Sequence, residues 1–185
     1  ISSKLLANLL TCAGIDRLIV MELHSAQIQG FFDIPVDNLY STNLFVKYLE
    51  ENVLSGYDLE QRREKFIMVS PDAGSTKTTL KYAEKMRLGT AIMHKQRNYT
   101  VKNRVDKTIV ICDREELIGK TAIICDDMCD TGGTLIKSIE TLVKNGVRDV
   151  ICVLTHGILS GPAIERINCC DYISEVIVCD TIPQV

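Results

Sequence analysis

Three aspartates, two glycines and two threonines fall within nine positions of this chain, in Asp126-Asp127-Met128-Cys129-Asp130-Thr131-Gly132-Gly133-Thr134. The apolar run Thr121-Ala122-Ile123-Ile124-Cys125 leads in, and a helical pattern starting at Leu135 leads out. Two glycines let backbone approach a ligand closely, the threonines add hydroxyl donors, and a helix start points N–H groups outward. Together they suit a phosphomonoester. Carboxylates beside a phosphate would repel it, unless Asp126 and Asp127 accept hydrogen bonds from sugar hydroxyls or hold Mg²⁺ through water. A phosphorylated sugar meets both conditions.

Simpler readings fit less well. An acidic turn before an N-capped helix needs fewer acids than are present. A D-D-x-x-D motif of the prenyl-synthase kind lies on a helix, whereas here two glycines follow at once. Gly74-Ser75-Thr76-Lys77-Thr78 lacks the Gly-Lys-Thr core of a nucleotide-binding P-loop.

The elements that position this segment alternate in type. Helical spacing covers Lys4 to Cys12, closed by Gly14, and Leu18 to Met21 is predicted as a buried strand. Leu44 to Leu54 is predicted helical, and the polar stretch Gly56 to Lys65 a surface excursion. Phe66 to Val69 is a second buried strand, followed by a helix from Lys77 to Arg87 stopped by Gly89. Strands are expected at Thr90–Met93, Lys107–Cys112, Thr121–Cys125 and Val150–Leu154, with a helix through Leu135, Ile139 and Leu142 closed by Asn145-Gly146. Apolar strands alternating with helices imply an α/β fold of parallel twisted sheets with helices on both faces. Ligands bind at the carboxyl ends of such strands, where the polar clusters of this chain fall. Pro35 to Tyr40 is read as a join. It gives residues 1–40 as the end of an incomplete first domain and 41–185 as a second domain carrying the phosphate loop.

Composition sets outer bounds. The chain has 185 residues, 46% hydrophobic and 24% charged, with net charge -3. No basic field argues for nucleic acid as a partner. No apolar run approaches the roughly 18–20 residues that span a bilayer. The chain opens at Ile1 already inside a helical pattern, so both ends are expected to continue. The eight cysteines include Cys125, Cys152 and Cys179 in apolar runs and form no C-x-x-C pair. They are read as packing residues of a cytosolic protein rather than a disulfide or zinc framework.

The Asp126–Thr134 segment matches the phosphoribosyl-binding pattern of type I phosphoribosyltransferases. The block Met21-Glu22-Leu23-His24 through Phe31-Phe32-Asp33-Ile34-Pro35-Val36-Asp37-Asn38-Leu39-Tyr40 resembles the ribose-phosphate pyrophosphokinases more narrowly. So do Ser70-Pro71-Asp72-Ala73-Gly74, His94-Lys95-Gln96-Arg97 and Thr155-His156-Gly157 through Ser160-Gly161-Pro162-Ala163. The resemblance spans essentially the whole chain. It implies two similar domains of phosphoribosyltransferase-like fold and transfer of a diphosphoryl group from ATP to ribose 5-phosphate with Mg²⁺.

By that resemblance His24 and Asp72 are metal ligands, and Glu22, Asp33 and Asp37 belong to the metal-binding signature. Lys95 and Arg97 are a catalytic pair on a mobile loop. Asp126, Asp127, Asp130, Thr131, Gly132, Gly133 and Thr134 hold ribose 5-phosphate, while Gln29 and Asn38 lie near a regulatory site. A homo-oligomer, expected to be a hexamer, follows as well. The chain departs from the family pattern at Glu22 (usually Asp), at Ser75 (usually Gly), in the insertion at 56–63, and at 98–105, where Arg104 stands in place of an acid. Two other readings stay open: a non-catalytic regulatory homologue, and a phosphoribosyltransferase that consumes the product.

Overall fold

The computed structural model describes the backbone of residues 2–97 and 105–184, and the side chains of these except 95–97 and 105–108. Two compact units divide the chain, Ile1–Asn43 and Leu44–Val185.

In the first unit, helix α1 (Ser2–Cys12) precedes strand β1 (Leu18–Met21), a short 3-10 turn (Ala26–Phe31) and strand β2 (Val36–Leu39). The strands pair in parallel, Leu18 opposite Val36 through Met21 opposite Leu39. Two sequence expectations are corrected here. Residues 35–40 are not merely a join, because they hold β2. Nor is β1 buried: Ile19 is 66% exposed, since the sheet of this unit has only two strands.

The second unit is a six-stranded sheet in the order β5-β4-β3-β6-β7-β8. Its strands are β3 (Phe66–Ser70), β4 (Gly89–Arg97), β5 (Val105–Ile111), β6 (Thr121–Cys129), β7 (Asp149–Gly157) and β8 (Ile173–Cys179). The helices following β1 are α2 (Thr42–Asn52), α3 (Leu59–Lys65), α4 (Thr76–Met86), α5 (Gly133–Lys144) and α6 (Ala163–Asn168). All strand pairs are parallel except β4–β5. Only seven residues separate those two strands, and a parallel crossover needs about a dozen or more.

Alternation along each strand sorts side chains between two cores. Ile67, Val69, Ala122, Ile124, Val150 and Cys152 pack toward Leu135, Ile139 and Leu142 of α5. Met68, Ile123, Cys125, Ile151 and Val153 pack on the other face, with Phe45 and Leu49 of α2 and Tyr82 and Met86 of α4. Burial on both faces explains why these strands are apolar throughout rather than alternating.

Three boundaries differ from expectation. The polar stretch before β3 contains α3, started by a capping box: Gln61 N–H donates to Asp58 Oδ1 at 2.9 Å, and Asp58 N–H donates to Gln61 Oε1 at 3.1 Å. Helix α4 is stopped by Arg87 in the left-handed region (φ 58), not by Gly89. Strand β4 continues four residues past Met93, through Arg97.

Candidate active site

The sheet changes its direction of winding between β3 and β6. From β3 the chain moves outward through β4 and β5; from β6 it moves the opposite way through β7 and β8. At such a point the two following loops part to opposite faces and leave a crevice at the strand ends. Here those loops are Pro71–Ser75 after β3 and Asp130–Gly132 after β6. The pairing of Val69 with Ile124 fixes them side by side.

Strand β6 runs through both aspartates before the chain turns. Gly132 takes φ 72, ψ -8 at the N-cap of α5 and has no side chain to occupy the helix start. A residue with a Cβ is strained in this region. The first-turn N–H groups of α5 thus stand at the crevice as anion donors.

Beside them the electrostatics point the other way. Burial, with Asp127 and Asp72 nearby, pushes the Asp126 carboxyl up to about 7. The Asp127 N–H donates to Asp126 Oδ1 at 3.1 Å and offsets part of this. The Asp72 carboxylate is oriented by its own loop, accepting from Ser75 N–H at 3.0 Å and Ser75 Oγ at 3.1 Å. A half-buried set of carboxylate oxygens suits either hydroxyl donors or a hard divalent cation that keeps most of its water. Among the described residues no three His, Cys, Asp or Glu side chains form a metal cage.

The remaining candidates lie on other elements. In the first unit, Glu22 accepts from Ser41 Oγ at 2.5 Å and itself lies at φ 45. Asp33 meets Lys4 at 3.5 Å, and Asp37 meets Arg17 Nε at 2.6 Å. The hydrogen bond and charge of Arg17 hold the Asp37 carboxyl below its usual range. His24 is exposed. Gln29 Nε2 donates to Ala26 O, and Asn38 Oδ1 accepts from Leu23 N–H, so both amides brace local backbone.

Lys95 and Arg97 were expected on a loop. Their backbones lie instead in β4, opposite Thr108 and Val105 of β5. The residues between, 98–104, which include most of the divergent loop and Arg104, lie outside the described residues.

Ser160 and Arg166 have no role legible in the sequence. Ser160 Oγ donates to Asp130 Oδ1, and Arg166 Nη1 donates to the Thr131 carbonyl at 2.7 Å. Ser160 stood within a recognised motif without a function. Arg166 gave no signal, since its partner is 35 residues away.

Residues 36–182 match the Phosphoribosyl transferase domain family. The structure is similar to that of a phosphoribosylpyrophosphate synthetase from Mycobacterium smegmatis, with 38% identity and a TM-score of 0.83 over 98% of this chain. This chain spans 54% of that protein's length. An adenine phosphoribosyltransferase superposes with a TM-score of 0.52 over 74% of this chain and 76% of its own, at 14% identity, a likeness of fold alone.

Proposed function

The chain belongs to the phosphoribosyl transferase domain family, and from that premise we propose that it is the core of a ribose-phosphate diphosphokinase. The supporting observation is the end of β6: a half-buried carboxylate pair followed directly by a left-handed Gly132 and the open start of α5. Plain phosphate binding would need only the helix start. Two adjacent acids ask in addition for a ligand with neighbouring hydroxyls.

In the proposed reaction, the 5-phosphate of ribose 5-phosphate lies on the N–H groups after Asp130, and Asp126 and Asp127 accept from the ring hydroxyls. The anomeric oxygen attacks the β-phosphorus of ATP. A new O–P bond forms, the bridge between the α- and β-phosphates breaks, AMP leaves and the hydroxyl proton is lost. Such transfer depends on positioning and on neutralising charge. Lys95 and Arg97 supply that charge, Arg97 through forked contacts to phosphate oxygens. Asp72 and His24 are the proposed Mg²⁺ ligands; the ion would neutralise the ATP phosphates, and an oxygen ligand such as Asp72 fits its preference. In Glu22, Asp33 and Asp37 the carboxylates already have protein partners, so they shape the segment around His24.

Among the described residues no helix is long and apolar enough to cross a membrane. We place the enzyme in the cytosol, acting in nucleotide biosynthesis as a homo-oligomer.

The test is AMP release by the full-length protein. It should require ribose 5-phosphate, ATP and Mg²⁺ together, and Lys95→Ala should abolish turnover while leaving the thermal midpoint unchanged. Absence of ribose 5-phosphate-dependent AMP from the wild type overturns the proposal. A Lys95→Ala variant of normal rate removes that residue from the chemistry.

A further inference from the structure

An anion cradle must keep its own carbonyl oxygens away from the anion, because each carries a partial negative charge. In the β6–α5 turn four consecutive carbonyls have taken partners. Cys129 O accepts from Leu159 N–H at 3.0 Å, Asp130 O from Ser160 N–H at 3.0 Å, and Thr131 O from Arg166 Nη1 at 2.7 Å. Gly132 O accepts from Ile136 N–H at 3.0 Å, as the first helical bond of α5. Three of the four donors come from one segment, Leu159 to Arg166, which leads from β7 through α6.

The same segment takes up the one carboxylate inside the turn. Ser160 Oγ donates to Asp130 Oδ1. A phosphate dianion beside an uncommitted Asp130 would meet repulsion, and this hydrogen bond turns the carboxylate toward the brace. Ala163 closes the arrangement from below, its Cα lying 3.6 Å from where a Gly132 Cβ would stand.

Peptide planarity converts this into orientation of the donors. The carbonyl and N–H of a trans peptide point in opposite directions. Arg166 holds the Thr131 carbonyl, which belongs to the same peptide plane as the Gly132 N–H. With that carbonyl held, rotation of the peptide is restrained, and the N–H groups that follow are presented at the start of α5.

Leu159 supports the same reading. It lies at φ 48, a conformation disfavoured for a branched residue, and from there its N–H reaches Cys129 O.

We propose that Ser160 and Arg166 are positioning residues for the sugar-phosphate site: they set the phosphate turn by holding Asp130 and Thr131, and so determine affinity for the 5-phosphate. The inference rests on the functional reading above. It also changes the role of Asp130, which becomes a brace point of the turn rather than a substrate contact.

The experiment is calorimetric titration of the full-length protein with ribose 5-phosphate and, separately, with ATP. Ser160→Ala and Arg166→Gln should each weaken ribose 5-phosphate binding about three- to tenfold, the range expected for one lost hydrogen bond. ATP affinity and thermal midpoint should stay at wild-type values, and Ser160→Thr, which keeps the hydroxyl, should bind within about twofold of wild type. Should Ser160→Ala fold poorly, Arg166→Gln on the exposed face of α6 carries the comparison alone.

A wild type that binds ribose 5-phosphate alongside variants that bind it equally well overturns the brace and leaves the function standing. Equal weakening for both ligands with a lowered midpoint overturns it too, since that is loss of structure. A wild type that binds no ribose 5-phosphate sinks the functional reading and the brace together.

Discussion

Burial first, and then the neighbouring charges of Asp127 and Asp72, disfavour the ionised form of Asp126 and raise its carboxyl from 3.8 to about 7. Ionising it therefore works against the fold. Its stabilising contribution is complete below about pH 4 and is lost as pH rises through about 7. Asp126→Asn keeps an oxygen for the Asp127 N–H and removes the titration. In ligand-free protein this variant should match wild type below about pH 4 and exceed it by roughly 2–4 kcal/mol at pH 8, as read from thermal denaturation. A gap independent of pH would contradict the assigned titration. The same substitution should weaken ribose 5-phosphate binding, because the charged acceptor for its hydroxyls is gone. These acids and the glycines after them were legible in the sequence, because their chemistry lies in nine consecutive residues. Ser160 and Arg166 were not, because they act on Asp130 and Thr131 across 30 and 35 residues. Only the fold makes those neighbours.

At the scale of elements, the strands β3, β6 and β7 were readable because burial on both faces leaves an unbroken apolar run. What failed was the extent of strands whose ends carry polar residues. Strand β4 continues through His94, Lys95 and Gln96, and β6 continues through Asp126 and Asp127, since ladder pairing with a neighbour outweighs the polarity of a side chain at a strand end. Helix α3 was missed for a related reason. Its residues are nearly all charged, so no apolar period announces it, yet Asp58 and Gln61 carried the start signal. Asp58→Ala removes the capping box and should lower stability by about 1 kcal/mol, measured by denaturant titration. Because α3 precedes the amino end of β3, away from the phosphate turn, turnover should be unchanged. A fall in turnover without loss of stability would give α3 a part in the site.

The chain divides into two compact units, one with a two-stranded sheet and one with six strands. The alternation of strands and helices made the α/β class legible, while the antiparallel β5 departs from the parallel sheet expected, because its connection to β4 is too short for a crossover. Leu5, Leu6, Leu9 and Ile19 of the first unit are exposed apolar side chains. The homo-oligomer is part of the proposal above. Light scattering on full-length protein should give a mass near six subunits, and a monomer at every concentration tested would count against that expectation. The most direct test lies at the end of β6. A crystal soaked with ribose 5-phosphate should show the phosphate against the N–H groups of Gly133 and Thr134, with ring hydroxyls at Asp126 and Asp127. Density for the sugar phosphate elsewhere, with that turn empty, would contradict the proposed site.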